Sequence, residues 1–232
     1  MEDNRYARQT ALPEIGAQGQ QKLAGASVLI VGLGGLGSPA ATYLTGAGIG
    51  RIGLCDPDIV SLSNLQRQVL YTEAEIGLKK TDCAARRLAE ISSHTVFDLY
   101  PEGLTPGNAS HIIAPYDIVV DCCDNYRTRY LIDDVCTSLG KTWIYGSIGA
   151  FHGQVAVING QRHIRYTDIY PDRQELESRP AASGGVIGAV PGVIGAIQAN
   201  EVLKLIAGFG IPLDGHLFTI DLRTLQTSIL TL

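Results

Sequence analysis

The 232-residue chain lacks any CxxC pair among its five cysteines, Cys55, Cys83, Cys122, Cys123 and Cys136, which argues against a zinc knuckle and against a redox dithiol. Cys122 and Cys123 lie in an apolar run and read as small buried hydrophobes. It also lacks an excess of positive charge: 18 Lys and Arg against 23 Asp and Glu leave a formal charge of -5, so neither nucleic acid nor an anionic membrane is an expected partner. Any phosphate binding must be local. A long hydrophobic run is missing too. The most apolar stretch, GVIGAVPGVIGAI, is glycine-rich, broken by Pro191 and too short to span a bilayer. The N-terminal MEDNRYARQ has no apolar core of a signal peptide, so the expected location is cytoplasmic. The five histidines (His94, His111, His152, His163, His216) are scattered, and none is a catalytic candidate.

What the chain does have is 45% hydrophobic residues and 18% charged ones, enough core for one globular domain over residues 1–232. Apolar runs and helical stretches alternate through residues 1–149, the pattern of a parallel sheet covered by helices. Ser27 to Val31, Arg51 to Cys55, Val96 to Leu99, Ile118 to Asp121 and Thr142 to Gly146 read as strands. Ser38 to Gly46, Lys79 to Ile91 and Asn125 to Ser138 read as helices, the second amphipathic with Cys83, Leu88 and Ile91 inward. Over 150–232 the pattern changes. FHGQVAVINGQRHIRY predicts a hairpin about Asn159-Gly160, Tyr170 to Gly185 a polar surface loop, Gly192 to Ile206 a long helix, and HLFTID and LQTSIL two terminal strands. The expected fold is α/β: a doubly wound, Rossmann-like, mostly parallel sheet with a C-terminal antiparallel extension.

Gly32, Gly34 and Gly37 fit GxGxxG between a strand and a helix, with Gly35 among them, and Asp56 follows about 20 residues later where a ribose-binding acid is expected. Glycines let backbone approach a ligand, the helix N-terminus attracts phosphate, and the carboxylate accepts ribose hydroxyls. The alternative is a glycine turn that serves only helix–strand packing. The following DPDIVSLSNLQRQVLY adds Asn64, Arg67 and Gln68, with Lys80 a little further on. NAD offers a diphosphate that a glycine loop already cradles, whereas the triphosphate of ATP carries more charge to neutralise, so this cluster points to ATP.

RYARQ (Arg5 to Gln9), GLGGLGSPAATYLTGAGIG, DPDIVSLSNLQRQ, GLKK, DCCDN (Asp121 to Asn125) and GVIGAVPGVIGAIQANEVLKL together resemble the ThiF/MoeB/HesA family, relatives of the ubiquitin-activating enzymes. The resemblance covers nearly the whole chain in order. It implies ATP-dependent adenylation of the C-terminal Gly-Gly of a small ubiquitin-like sulfur carrier, ThiS-like (thiamine) or MoaD-like (molybdopterin), with release of pyrophosphate. It implies that Gly35 and its neighbours contact the nucleotide, that Asp56 holds the ribose, and that Asn64, Arg67 and Lys80 hold the phosphates. Asp124 would sit beside magnesium or position the α-phosphate; by itself it also reads as a helix N-cap. Arg8 would reach the site of a neighbouring subunit, so a homodimer is implied. A C-terminal carboxylate, with a pKa near 3.5, is ionised at neutral pH and needs no general base. The other reading is a non-catalytic relative that binds nucleotide or carrier as a scaffold.

Two departures stand out. Where many members carry a zinc-binding CxxC this chain has Arg165-Tyr166-Thr167-Asp168, so zinc is not expected, and Arg165 and Asp168 read either as an ion pair in its place or as two unrelated surface charges. Where ThiF-like members can carry a loop cysteine it has Ala181, Ala182 and Ser183, which predicts chemistry ending at the acyl-adenylate, with sulfur from a separate donor.

Overall fold

The computed structural model describes residues 4–179 and 184–232. The elements run α1 (Ala7–Thr10), α2 (Gly16–Gly25), β1 (Ser27–Val31), α3 (Gly37–Ala47), β2 (Arg51–Cys55), α4 (Lys80–Ile91), β3 (Val96–Tyr100), α5 (Ala109–Ile113), β4 (Ile118–Asp121) and α6 (Tyr126–Leu139). They continue with β5 (Thr142–Gly149), β6 (His152–Ile158), α7 (Tyr166–Ile169), α8 (Arg173–Ser178), α9 (Ala189–Ala207), β7 (His216–Asp221) and β8 (Gln226–Thr231). All eight strands join one sheet in the order β3-β2-β1-β4-β5-β6-β7-β8. β1 to β5 pair in parallel, and β5 to β8 pair antiparallel. The chain leaves β1 toward β2 and β3 on one side and returns to β4 on the other, so a crevice opens at the carboxyl ends of β1 and β4.

Apolar side chains on both faces of the central strands explain the near-continuous hydrophobic runs read from the sequence. One face packs Val28, Ile30, Ile52 and Leu54 under α3, α4 and α9. The other packs Leu29, Val119, Trp143 and Tyr145 under α5 and α6, with Tyr130 and Tyr166 stacked beside them. Helix α9 begins before the expected Gly192 because Pro191 falls in its first turn, where a missing N–H costs nothing. With QANEVLKLIA included, it is long and apolar enough to cross a membrane by length and composition, yet it lies on β5 and β6 with Gln198 and Glu201 buried.

Several local expectations are corrected. No hairpin turns at Asn159-Gly160: β6 pairs with β5 through the Gly149–Phe151 turn, and with β7 on its other side. Asn159 sits at φ 51°, and its amide donates to the carbonyls of Cys136 and Lys141, tying the segment to the end of α6. Residues 161–165 then lead to α7, because Tyr166 is drawn into the aromatic core instead of a third strand edge. The expected 170–185 loop contains α8. Ala181, Ala182 and Ser183 lie outside the described residues. Asn125, not Asp124, caps α6, accepting the Thr128 N–H at 2.9 Å.

Of the two readings of Arg165 and Asp168, the direct ion pair does not form. Arg165 donates to Asp133 at 2.9 Å and to Asp134 at 3.1 Å on α6, while the Asp168 carboxylate accepts the Arg165 backbone N–H at 2.8 Å. Burial pushes the Asp133 carboxyl up, and the Tyr166 N–H and the Arg165 guanidinium oppose that shift by supplying the partners a buried carboxylate needs, a need the exposed Asp168 does not have. A guanidinium and a carboxylate with these partners do not fit a zinc site.

Candidate active site

The glycine loop between β1 and α3 is shaped by backbone contacts that forbid side chains. Gly32 has φ +93°, and a Cβ there would lie 2.5 Å from the Cys122 carbonyl oxygen; one at Gly37 would lie 2.0 Å from the Gly32 carbonyl oxygen. The loop therefore folds onto itself and onto the end of β4. Gly34 and Gly35 are different: they stay half-buried, with side chains as their nearest neighbours. That is the open backbone a phosphate needs.

Asp56, at the end of β2, is 5% exposed. Its carboxylate accepts the Leu33 N–H at 2.6 Å and the Asp58 N–H at 2.8 Å, so it holds the glycine loop from below. Burial pushes the Asp56 carboxyl above the usual carboxylate value, and Lys80 and these two N–H groups oppose that shift. Lys80, the first residue of α4, is itself buried, with Nζ 2.8 Å from Asp58 and 3.8 Å from Asp56.

The segment after Asp58 folds over the loop. Tyr71 donates its hydroxyl to the Leu33 carbonyl at 2.9 Å. Gln68 is 4% exposed with its amide nitrogen 3.3 Å from the Cβ position of Gly34, and its amide oxygen is buried without a partner. Arg67 passes Gly35 with its Cγ 3.6 Å from that Cβ position, and its guanidinium reaches the Ser63 carbonyl at 3.0 Å. Asn64 is half-buried, and its carbonyl accepts the N–H groups of Arg67 and Gln68 at 3.0 Å each, which turns both side chains toward the loop. Asp124 stands exposed in the turn after β4, two residues beyond the Cys122 carbonyl that touches Gly32. Its turn is built from buried groups: Asp121 accepts from Cys123 N–H at 3.0 Å and from Arg129 at 3.2 Å.

The structure thus brings Gly32, Gly34, Gly35, Gly37, Asp56, Asn64, Arg67, Gln68, Lys80 and Asp124 to one crevice. Arg8 is not among them. Gln9 donates to the carbonyl of Ala47, the last residue of α3, and the Tyr6 ring covers Gly48. Arg8 therefore sits at the far end of a helix about 16 Å long from the loop that begins it. Beside the crevice an apolar groove of about 480 Å³ is lined by Pro39, Tyr43, Val69, Ala189, Val193 and Ala196.

Sequence reasoning missed Asp58, Tyr71 and Pro191, the last standing 3.0 Å from the Cβ position of Gly35. It also missed Gln198, whose signal was a polar residue inside an apolar helical run. A nucleotide and its magnesium fit this donor set: open glycine backbone, a buried acid for hydroxyls, an orphaned Gln68 amide oxygen, two cations, and the exposed carboxylates of Asp124 and the Lys80-paired Asp58. All five cysteines are buried and free, and burial pushes Cys55 and Cys136 up to about 12 and Cys122 and Cys123 far above their ordinary value.

Residues 6–232 match the model of the ThiF family. A sulfur carrier protein adenylyltransferase of Thermus thermophilus is 43% identical over 224 residues, covering 94% of this chain and 83% of that protein. An adenylyltransferase and sulfurtransferase MOCS3 of Xenopus laevis is 45% identical over 218 residues, covering 94% of this chain and 48% of that protein. The chain spans about half the length of that relative. Among solved structures, E. coli MccB with MccA-N7isoAsn superposes with a TM-score of 0.86 over 100% of this chain and 72% of that one, at 22% identity, a likeness of fold. With a family match over nearly its full length and a 43% identical relative, the chain belongs to the ThiF family.

Proposed function

We propose that the chain uses ATP to adenylate the C-terminal Gly-Gly carboxylate of a small ubiquitin-like sulfur carrier, ThiS-like or MoaD-like, releasing pyrophosphate. The observation that carries this reading is the convergence of the glycine loop, Asp56, Lys80, Arg67 and Asp124 on one crevice, with every cysteine thiol buried. The attacking group is a carboxylate already ionised at neutral pH, so the site has no proton to remove. Its task is electrostatic: two anions must approach and a pyrophosphate must leave. The backbone of Gly34 and Gly35 and the Arg67 side chain cradle phosphate oxygens, Asp56 accepts the ribose hydroxyls, and Lys80 balances the charge that Asp56 brings. Asp124 faces the α-phosphate from β4. Magnesium, when bound with ATP, would supply further neutralisation there, and Asp124 would hold it, since the other exposed carboxylate of the crevice, Asp58, is engaged by Lys80.

Arg8 lies too far along α3 to serve its own site, so in this reading it serves a second copy's, and the apolar groove beside the crevice fits an interface between copies. The acyl-adenylate is the last species made here, because the five thiols are buried and Ala181, Ala182 and Ser183 place no cysteine where a thioester or persulfide would form.

ATP–pyrophosphate exchange tests the proposal, with ThiS-like and MoaD-like carriers ending in Gly-Gly offered separately to wild type and Asp124→Ala. Exchange with one carrier, lost in the variant, is the expected result and identifies the pathway. ATP binding without exchange for either carrier refutes catalysis and leaves a scaffold.

A further inference from the structure

Gln198 of α9 is fully buried against the sheet. Its amide nitrogen donates to the carbonyls of Asp121 at 2.6 Å and Ile144 at 3.3 Å, and its oxygen takes the Cys122 thiol at 3.6 Å. These partners mark a fork. Val120–Ile144 is the last pair of the β4–β5 ladder; beyond it β4 turns into Cys122 to Asn125, and β5 runs on against β6. Carbonyls at such a fork lose their ladder donors and are costly to bury unpaired.

Gln198 satisfies them from the α9 side. From the opposite side Arg129 donates to the carbonyls of Cys123 at 2.8 Å and Gly146 at 3.2 Å. Gly146 carries no side chain because a Cβ there would stand 2.2 Å from the Gln198 amide nitrogen. The helix that delivers Gln198 is anchored to the other half of the crevice. Pro191 packs on Gly35, and a Cβ at Gly195 would lie 2.4 Å from the Leu36 carbonyl oxygen, so α9 and the start of α3 touch backbone to backbone.

We propose that Gln198 is a positioning residue: by holding the β4–β5 fork open, it sets where the turn bearing Asp124 stands against the glycine loop. This rests on the proposed adenylation, in which Asp124 faces the reacting phosphate. A displacement of about 1 Å in such a group costs on the order of 100-fold in rate.

The test compares the full-length wild type with Gln198→Met, which keeps length and volume and removes both donors. Amide hydrogen exchange is read over residues 121–126 and 32–38 without ligand, alongside the ATP dissociation constant and the ATP–pyrophosphate exchange rate. Expected are exchange about 10-fold faster or more at 121–126 with 32–38 unchanged, turnover lower by about 10- to 100-fold, and ATP affinity within about 3-fold. Unchanged protection at 121–126 overturns the proposal. So does faster exchange with wild-type turnover, or faster exchange spread evenly over the sheet with a lowered Tm, the mark of a merely stabilising role. Should Gln198→Met give no cooperative melt, Gln198→Asn, which keeps the amide and loses one methylene of reach, is judged by the same criteria. If wild type itself catalyses no exchange, the adenylation reading falls, and the protection data alone decide whether Gln198 sets the turn.

Discussion

Replacing Lys80 with methionine separates two roles that a buried lysine in this place can have. Methionine retains the apolar stem and removes the charge, and the Lys80 side chain is only 5% exposed, so packing changes little. Nζ lies 3.8 Å from Asp56, and at an effective dielectric constant of about 20 that separation corresponds to about 4 kcal/mol of attraction. That is a ceiling: the Leu33 and Asp58 N–H donors stay in place, and Asp58 is exposed to water, so only part of it appears as a further rise of the Asp56 carboxyl. Burial already holds the Asp56 carboxyl above its ordinary 3.8. The sign follows directly. An acid whose pKa is raised in the folded chain keeps its proton to higher pH, and the carboxylate proposed to accept ribose hydroxyls is lost as pH falls through the raised value. ATP affinity of Lys80→Met should therefore decline with acidification at a higher pH than that of wild type, measured as dissociation constants from pH 5 to 8.5. If the two profiles are parallel and merely offset, Lys80 acts on the phosphates alone, and the role assigned to it beside Asp56 is wrong.

Gly37→Ala should lose about 3 kcal/mol in urea unfolding, since its Cβ meets backbone at 2.0 Å, whereas Gly46→Ala in the same helix, with nothing within 4 Å, should be neutral or gain up to about 0.5 kcal/mol. Equal losses would remove the steric account of the loop. Arg165→Ala strips the buried Asp133 of its cation and should cost about 2 kcal/mol, and Asp168→Ala about 1 kcal/mol through the lost N-terminal bond of α7. The double variant should be additive; a coupling energy above about 0.5 kcal/mol would restore the direct pair. None of the five thiols should react with a disulfide reagent within minutes at pH 8 in the native protein, and all five should in denaturant; one fast native thiol would reopen a covalent intermediate.

Much of the crevice is legible in the sequence because its residues lie close together along the chain. A strand, four glycines and an acid after the next strand fall within Val28 to Asp56, and a βαβ unit is close to obliged to bring them together, since a right-handed crossover has one way to pack. The order of strands, the ATP-suited cluster after Asp58 and the antiparallel ending are readable for the same reason. What the linear chain leaves open concerns partners separated by many residues. Arg165 pairs with Asp133 and not Asp168 because a buried carboxylate needs a partner and an exposed one does not, and burial is a property of the assembled helices. The Asn159-Gly160 dipeptide suits a tight turn, yet Tyr166 has an aromatic core to enter, so the expected second strand becomes α7. Gln198 gains its meaning only when α9 lies across the β4–β5 fork, and Lys80 joins Asp56 only when α4 returns to the sheet. Periodicity and turn chemistry act over a few residues and determine the elements; desolvation and close approach act across the fold, and they decide which polar side chains meet.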